Sequence, residues 1–263
     1  MHFAIGRSAI TPLRREPSNR AEQVSQVVLG ETARILERRE TWWRIEAEPE
    51  GYAGWGHSGY LFGATEEQGA AWRSSAMGWS RGAVLDVEGV RQPAPLRSRL
   101  LPAGEDWRLP GGKRGRCIEG EIVPAHEEQA AAGLVPAYEW ARRNFLGAPY
   151  QWGGVTPWGV DCSGLIQTTY AARGIALPRD SREQAKIGDA VDHDAIRPGD
   201  LLFFAEDGER ITHVAFVMER DMLLHSTIAC GACVAEPWGP GSRAEVLRDQ
   251  LVAARRFPEE GAE

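Results

Sequence analysis

Few backbone courses accommodate Asp161-Cys162-Ser163-Gly164-Leu165-Ile166 entered through Tyr150-Gln151-Trp152-Gly153-Gly154. The Gly- and aromatic-rich run reads as a loop. Leu165, Ile166, Thr169, Tyr170 and Ala172 then recur near helical spacing until Gly174 stops them. Cys162 therefore stands at or beside a helix N-terminus, with Asp161 as its cap. Free N–H groups and the positive end of the helix dipole favour an anionic sulfur there. A thiol of pKa roughly 8.5 is expected to be lowered at such a site and ionised near neutral pH.

A nucleophilic cysteine needs a base, and the base needs something to hold it. Pro198-Gly199-Asp200 reads as a turn into the strand Leu201-Leu202-Phe203-Phe204, and a polar loop leads to a second strand, Thr212-His213-Val214-Ala215-Phe216-Val217-Met218. Met222-Leu223-Leu224-His225-Ser226 continues the meander, so His225 is expected beside His213 on one face. Nucleophile on a helix, base on a strand and orienting group on its neighbour is a papain-like order.

These residues carry a family resemblance. Residues 150–181, Arg197-Pro198-Gly199-Asp200-Leu201, His213-Val214 and His225 resemble the NlpC-type cysteine peptidases of bacterial cell-wall peptides. With the N-terminal half, the chain is most similar to the branch with bacterial SH3-like domains that cuts γ-D-glutamyl–diamino acid bonds. The catalytic match covers roughly the last half of the chain, and its specificity lies in the combination of motifs. The resemblance implies an α+β fold: a papain-like catalytic domain, helices on an antiparallel sheet, preceded by two small SH3-like β-barrels.

At 263 residues, two or three domains are expected. A net charge of −7 argues against nucleic acid or an anionic membrane as partner. The start, Met1-His2-Phe3-Ala4-Ile5-Gly6-Arg7, has neither a basic region nor a continuous apolar run of a signal peptide, and no stretch approaches membrane-spanning length. Cys117, Cys162, Cys230 and Cys233 fit a reducing compartment better than a disulfide framework. The chain is thus expected to be cytoplasmic, which for a murein-peptide hydrolase points to recycling of imported peptides.

Residues 1–64 read as short strands between turns, among them Ala33-Arg34-Ile35-Leu36-Glu37 and Trp43-Arg44-Ile45-Glu46. About five strands in this length make a small barrel, and Gly51-Tyr52-Ala53-Gly54-Trp55 resembles the closing part of bacterial SH3-like domains. Residues 65–125 read as a second, shortened barrel. Pro95-Leu96-Arg97 echoes Pro12-Leu13-Arg14, and Gly104-Glu105 echoes Gly30-Glu31. Residues 126–263 form the peptidase domain, with a first helix over residues 137–146 ended by Gly147 and Pro149.

The expected chemistry is attack of Cys162 on the γ-carbonyl of D-glutamate, with His213 passing the proton to the leaving amine and His225 holding His213. The Cys162 N–H and, by the resemblance, the Tyr150 hydroxyl hold the oxyanion. The resemblance also implies substrate contacts from Asp161, Ser163, Asp180 and Ser181, all at matching motif positions. In related enzymes an acidic residue of an early barrel loop and a Tyr before the Gly-Trp hold the free amine of L-Ala. Glu16 and Tyr52 are the matching positions, which implies a dipeptidyl-peptidase releasing L-Ala-γ-D-Glu. No cofactor or metal is expected.

Other readings stay in view. Cys162 as a buried structural cysteine would leave a wall-peptide-binding protein with an inactive catalytic domain. Cys230-Gly231-Ala232-Cys233 near His225 suggests zinc, although no second pair completes four ligands. Trp42, Trp43 and Trp55 are expected in the barrel core, and Trp152 and Trp158 at the active-site wall. Lysine or diaminopimelate after the scissile bond is left open.

Overall fold

The computed structural model describes residues 2–219 and 221–257. The chain divides into two compact units, Met1–Glu128 and Gln129–Glu263. No helix among the described residues is long and apolar enough to cross a membrane.

The first unit holds two seven-stranded antiparallel sheets. In the first, the spatial order is Gln23–Val28, Ile10–Arg14, Tyr52–His57, Trp42–Ala47, Thr32–Arg39, Phe3–Gly6, Leu61–Ala64. Period-2 burial explains the strands: Thr11 and Leu13 are buried while Ile10, Pro12 and Arg14 are half-buried. Leu13, Val27, Ala33, Ile45 and Leu61 make the core, where each buried Leu, Val or Ile contributes roughly 1.5–3 kcal/mol. Trp55 is buried, but Trp42 and Trp43 are only half-buried. Trp42 meets the His57 ring edge-on and Trp43 carries the Arg38 guanidinium, because indole and cation satisfy each other at the rim.

The second sheet has the order Val90–Ala94, Ala83–Val87, Arg114–Glu119, Asp106–Arg108, Arg99–Ala103, Gly78–Ser80, Ile122–Pro124. Numbered within each segment, both sheets run third, second, sixth, fifth, fourth, first, seventh, so the second repeats the first strand for strand. The repeat is therefore not shortened in strand number. The peptides that suggested it are not equivalent, however. Pro12-Leu13 lies in its segment's second strand and Pro95-Leu96 after the third.

Residues 66–75, expected within the second barrel, instead form a helix, Glu66–Ser75, that links the two segments. Thr65 and Gln68 form a reciprocal capping box at its start, and Trp72 is buried with its indole N–H on the Gly30 carbonyl at 2.8 Å. Leu29 belongs to the core of the second sheet, and Gly30, at φ +81°, lies so close to Arg99 that a Cβ would strike its carbonyl. Buried Arg97 pairs with Glu31 and, at 3.0 Å, with Glu50. Core and charge thus join the two segments.

In the second unit, the helix Ala137–Phe145 buries Tyr138, Trp140, Ala141 and Phe145 and ends before Gly147 at φ +84°. The antiparallel sheet runs Asp189–Ala190, Leu251–Arg256, Leu201–Phe204, His213–Met218, Met222–Thr227, Ala232–Pro237. All four residues of Leu201–Phe204 are buried, so both faces are covered. On one side Tyr170 of the helix Cys162–Ala172 stacks on Phe216. On the other lies a cluster of Leu202, Phe204, Ala215, Val217, Leu223 and Trp238. In the Pro198-Gly199-Asp200 turn, buried Asp200 accepts from the Arg197 N–H and from Arg256 twice, at 2.7 and 2.8 Å, tying the turn to the last strand.

Candidate active site

Cys162 is the first residue of the helix Cys162–Ala172, and Asp161 is its cap, accepting from the Gly164 N–H at 2.7 Å. A Cβ at Gly164 would meet the Gly154 carbonyl at 2.1 Å, so this glycine lets the incoming loop lie against the helix. Thr168 Oγ1 donates to the Val155 carbonyl at 2.7 Å, and Ser226 Oγ to the Val160 carbonyl at 2.6 Å. The loop is thereby fastened both to the cysteine's helix and to the His225 strand.

The Asp161 carboxylate, 5% exposed, is engaged by four donors. Besides Gly164 these are the Gly153 N–H at 2.7 Å, Ser163 Oγ at 3.3 Å and Arg179 at 2.5 Å. Arg179, also buried, donates to Ser163 Oγ at 2.8 Å. A buried Asp–Arg pair supports the nucleophile's loop from below, and Ser163 lies between the guanidinium and the helix start. Gln184 Nε2 donates to the Ser163 carbonyl at 3.0 Å, closing the network.

The Cys162 sulfur rests against the beginning of the His213 strand. It lies 4.0 Å from the Thr212 carbonyl and accepts from the Val214 N–H, the residues on either side of His213. Here the expectation of a lowered thiol pKa is corrected. Burial, and next the Asp161 carboxylate, push the thiol up to about 12, outweighing the Val214 and Ser163 N–H donors and Arg179, which pull it down. At 8% exposure Cys162 loses more hydration as a thiolate than the helix start returns.

Phe216 pairs with Leu224, a register that sets His213 and His225 diagonally on one face. His213 Nε2 lies 2.7 Å from His225 Nδ1, and His225 Nε2 lies 2.7 Å from Glu236 Oε1. Arg243 closes the row on Glu236. Burial, then His225, lower His213 to about 3; burial, then Arg243, lower His225 to about 4. Both rings are therefore neutral near pH 7. The site therefore rests as thiol and neutral imidazole.

Half-buried Tyr150 is raised to about 12, first by burial, then by Cys162 and Asp161, so its hydroxyl keeps its proton near pH 7. Ser181 is buried at the start of the short helix Ser181–Gln184, and Asp180 before it is exposed. Trp152 and Trp158, on the loop before Cys162, are 57% and 50% exposed. Glu16 and Tyr52 belong to the first unit. Exposed Glu16 follows the strand Ile10–Arg14, whose Arg14 pairs with Trp55, and this antiparallel register carries the loop toward the Tyr52 end of its neighbour.

Both His225 ring nitrogens are occupied by His213 and Glu236, so the ring has no lone pair left for the thiols of Cys230 and Cys233. Cys230 is exposed and Cys233 buried, and no metal-holding group of His, Cys, Asp or Glu is found among the described residues. Glu236 and Arg243 were missed because no motif marks them. Glu236 becomes visible only when Leu223 is known to pair with it, which sets it diagonal to His225.

Residues 147–245 match the NlpC/P60 family, and residues 13–56 match the bacterial dipeptidyl-peptidase Sh3 domain. A gamma-D-glutamyl-L-lysine dipeptidyl-peptidase of Bacillus cereus is 29% identical over 225 residues, 77% of this chain and 66% of that protein. One of the same name from Bacillus subtilis is 46% identical over 84 residues, 31% of this chain and 28% of the relative. Each match spans less than two thirds of the relative's own length. A solved NlpC/P60 family protein from Bacillus cereus shares the fold, with a TM-score of 0.78 at 22% identity over 97% of this chain and 99% of that one. The chain thus carries an NlpC/P60 domain, with an SH3-like strand-rich region ahead of it.

Proposed function

We propose that the protein is a γ-D-glutamyl–diamino acid endopeptidase of dipeptidyl-peptidase type. It takes murein peptides with a free N-terminal L-Ala and releases L-Ala-γ-D-Glu. The observation that carries the chemistry is the buried row from Cys162, against the start of the His213 strand, through His213 and His225. The names of the two Bacillus relatives support the substrate class.

His213 takes the thiol proton while sulfur adds to the γ-carbonyl. The oxyanion is met by the Cys162 N–H and the Tyr150 hydroxyl. Collapse expels the diamino acid amine, which takes the proton from His213 and leaves a thioester on Cys162. Water, deprotonated by His213, then frees L-Ala-γ-D-Glu and restores the thiol. Beside the nucleophile, Ser163, Asp180 and Ser181 offer polar groups for the substrate, as the resemblance implies. In this reading the enzyme serves peptide recycling in the cytoplasm, which four cysteines free of disulfides support.

Mass spectrometry of products from L-Ala-γ-D-Glu-diaminopimelate and L-Ala-γ-D-Glu-Lys tests the proposal. L-Ala-γ-D-Glu is expected from at least one, with no product from Cys162→Ala. Cleavage at another bond, or undiminished cleavage by Cys162→Ala, rejects it. Iodoacetamide inhibits the expected enzyme and chelators do not, whereas a zinc hydrolase would show the reverse.

A further inference from the structure

The hydrogen-bonded row that begins at His213 does not end at His225. The structure assigns Glu236 as the positioning residue that selects the tautomer of His225 and so leaves His213 Nδ1 bare to take the Cys162 proton. The assignment builds on the peptidase reading.

Counting donors and acceptors along the row fixes its direction. A neutral imidazole carries one N–H, and an ionised carboxylate only accepts. Glu236 Oε1, 2.7 Å from His225 Nε2, requires the proton of that ring on Nε2. His225 Nδ1 is then an acceptor, and His213 Nε2, 2.7 Å away, donates to it. The second proton position of His213 is thereby used, and its Nδ1 keeps the lone pair. Reversing the first link reverses both others. With His225 protonated on Nδ1, His213 Nε2 would have to accept, its proton would sit on Nδ1, and it could not serve as base.

Surroundings keep this choice sharp. The His225 side chain is 2% exposed and that of Glu236 13%, so little water competes for either ring nitrogen. Arg243, the outermost member at 42% exposure, donates to the same Glu236 oxygen and holds the carboxylate aimed. The neutral state of both rings, set by burial, makes tautomer choice decisive. A carboxylate behind a histidine is a known way to fix a ring, and here it acts on the base through a second imidazole.

The test compares wild type, Glu236→Ala and Glu236→Gln by nitrogen NMR of histidine-labelled full-length protein and by turnover of L-Ala-γ-D-Glu-diaminopimelate and L-Ala-γ-D-Glu-Lys. Wild type is expected to show His225 as the Nε2–H tautomer. Glu236→Ala should give a tautomer mixture and lower kcat roughly 10- to 100-fold with KM within about twofold. Glu236→Gln, whose amide oxygen still accepts from Arg243 and His225, should keep the tautomer and a kcat within about fivefold of wild type. The assignment is overturned if His225 in Glu236→Ala stays purely Nε2–H, or if kcat there is unchanged in an active enzyme. A folded wild type that cuts neither peptide while its tautomer shifts in Glu236→Ala would remove the substrate reading and uphold the tautomer control.

Discussion

His213 Nε2 and His225 Nδ1 stand 2.7 Å apart on adjacent antiparallel strands, and the ring planes cross at 63°. With the tautomer assigned above, His225 meets His213, the proposed base, through an acceptor atom. The proposal then requires of this position an acceptor of the right reach, not a titrating group.

Replacement of His225 should follow that rule. Gln offers an amide oxygen to His213 and an amide N–H to Glu236, so His225→Gln is expected to retain kcat within about 10-fold, whereas His225→Ala loses roughly 100-fold or more. Steady-state kinetics on L-Ala-γ-D-Glu-diamino acid peptides measure both. Equal losses would show that the ring does more than accept.

The raised thiol predicts unusual labelling. With Cys162 pushed up to about 12 and Cys230 exposed, iodoacetamide at pH 7 should modify Cys230 first. The Cys162 rate should climb with pH without a plateau near neutrality. Peptide mapping of partially alkylated protein reads the order. Cys162 reacting first, with a rate flat through pH 7, would establish a preformed thiolate.

Acid should weaken the fold through the same rings. Their folded values, about 3 for His213 and about 4 for His225, lie below the free value of 6.5. Below pH 6.5 the unfolded chain takes up protons that the folded chain refuses. Their contribution is therefore complete above pH 6.5 and falls away as pH drops toward 4. Urea melts between pH 4 and 7 should show this slope, made shallower by His225→Gln. An unchanged slope in that variant would contradict the assignment.

Asp161→Asn should be costly to stability as well as activity. It leaves the Arg179 guanidinium, 2% exposed, without its anion. Breaking such a buried pair costs about 3–5 kcal/mol. Denaturant unfolding at pH 7 measures the loss, and a change below 1 kcal/mol would show that the remaining partners of Arg179 suffice.

Local rules made part of this molecule legible. Cys162 after Asp161, followed by helical spacing, placed the cap and helix start, and strand alternation around His213 and His225 placed the rings together. Helix-start chemistry argued for an ionised sulfur, but depth of burial is a tertiary quantity that flanking residues do not carry, and it decided the opposite. Glu236 escaped because its nearness to His225 depends on register across a hairpin. The helix Glu66–Ser75 was overlooked although Thr65 and Gln68 spell its capping box. The repeated sheet was inferred from peptides that prove non-equivalent, because strand order is preserved where sequence echoes are not.

Intact-mass and peptide-level spectrometry of acid-quenched enzyme during turnover of L-Ala-γ-D-Glu-diamino acid peptides bears most directly on the central chemistry. A thioester of L-Ala-γ-D-Glu on the peptide containing Cys162 is predicted, absent from Cys162→Ala, which should also yield no product. Turnover with no adduct on Cys162, continuing unchanged in Cys162→Ala, would contradict the account.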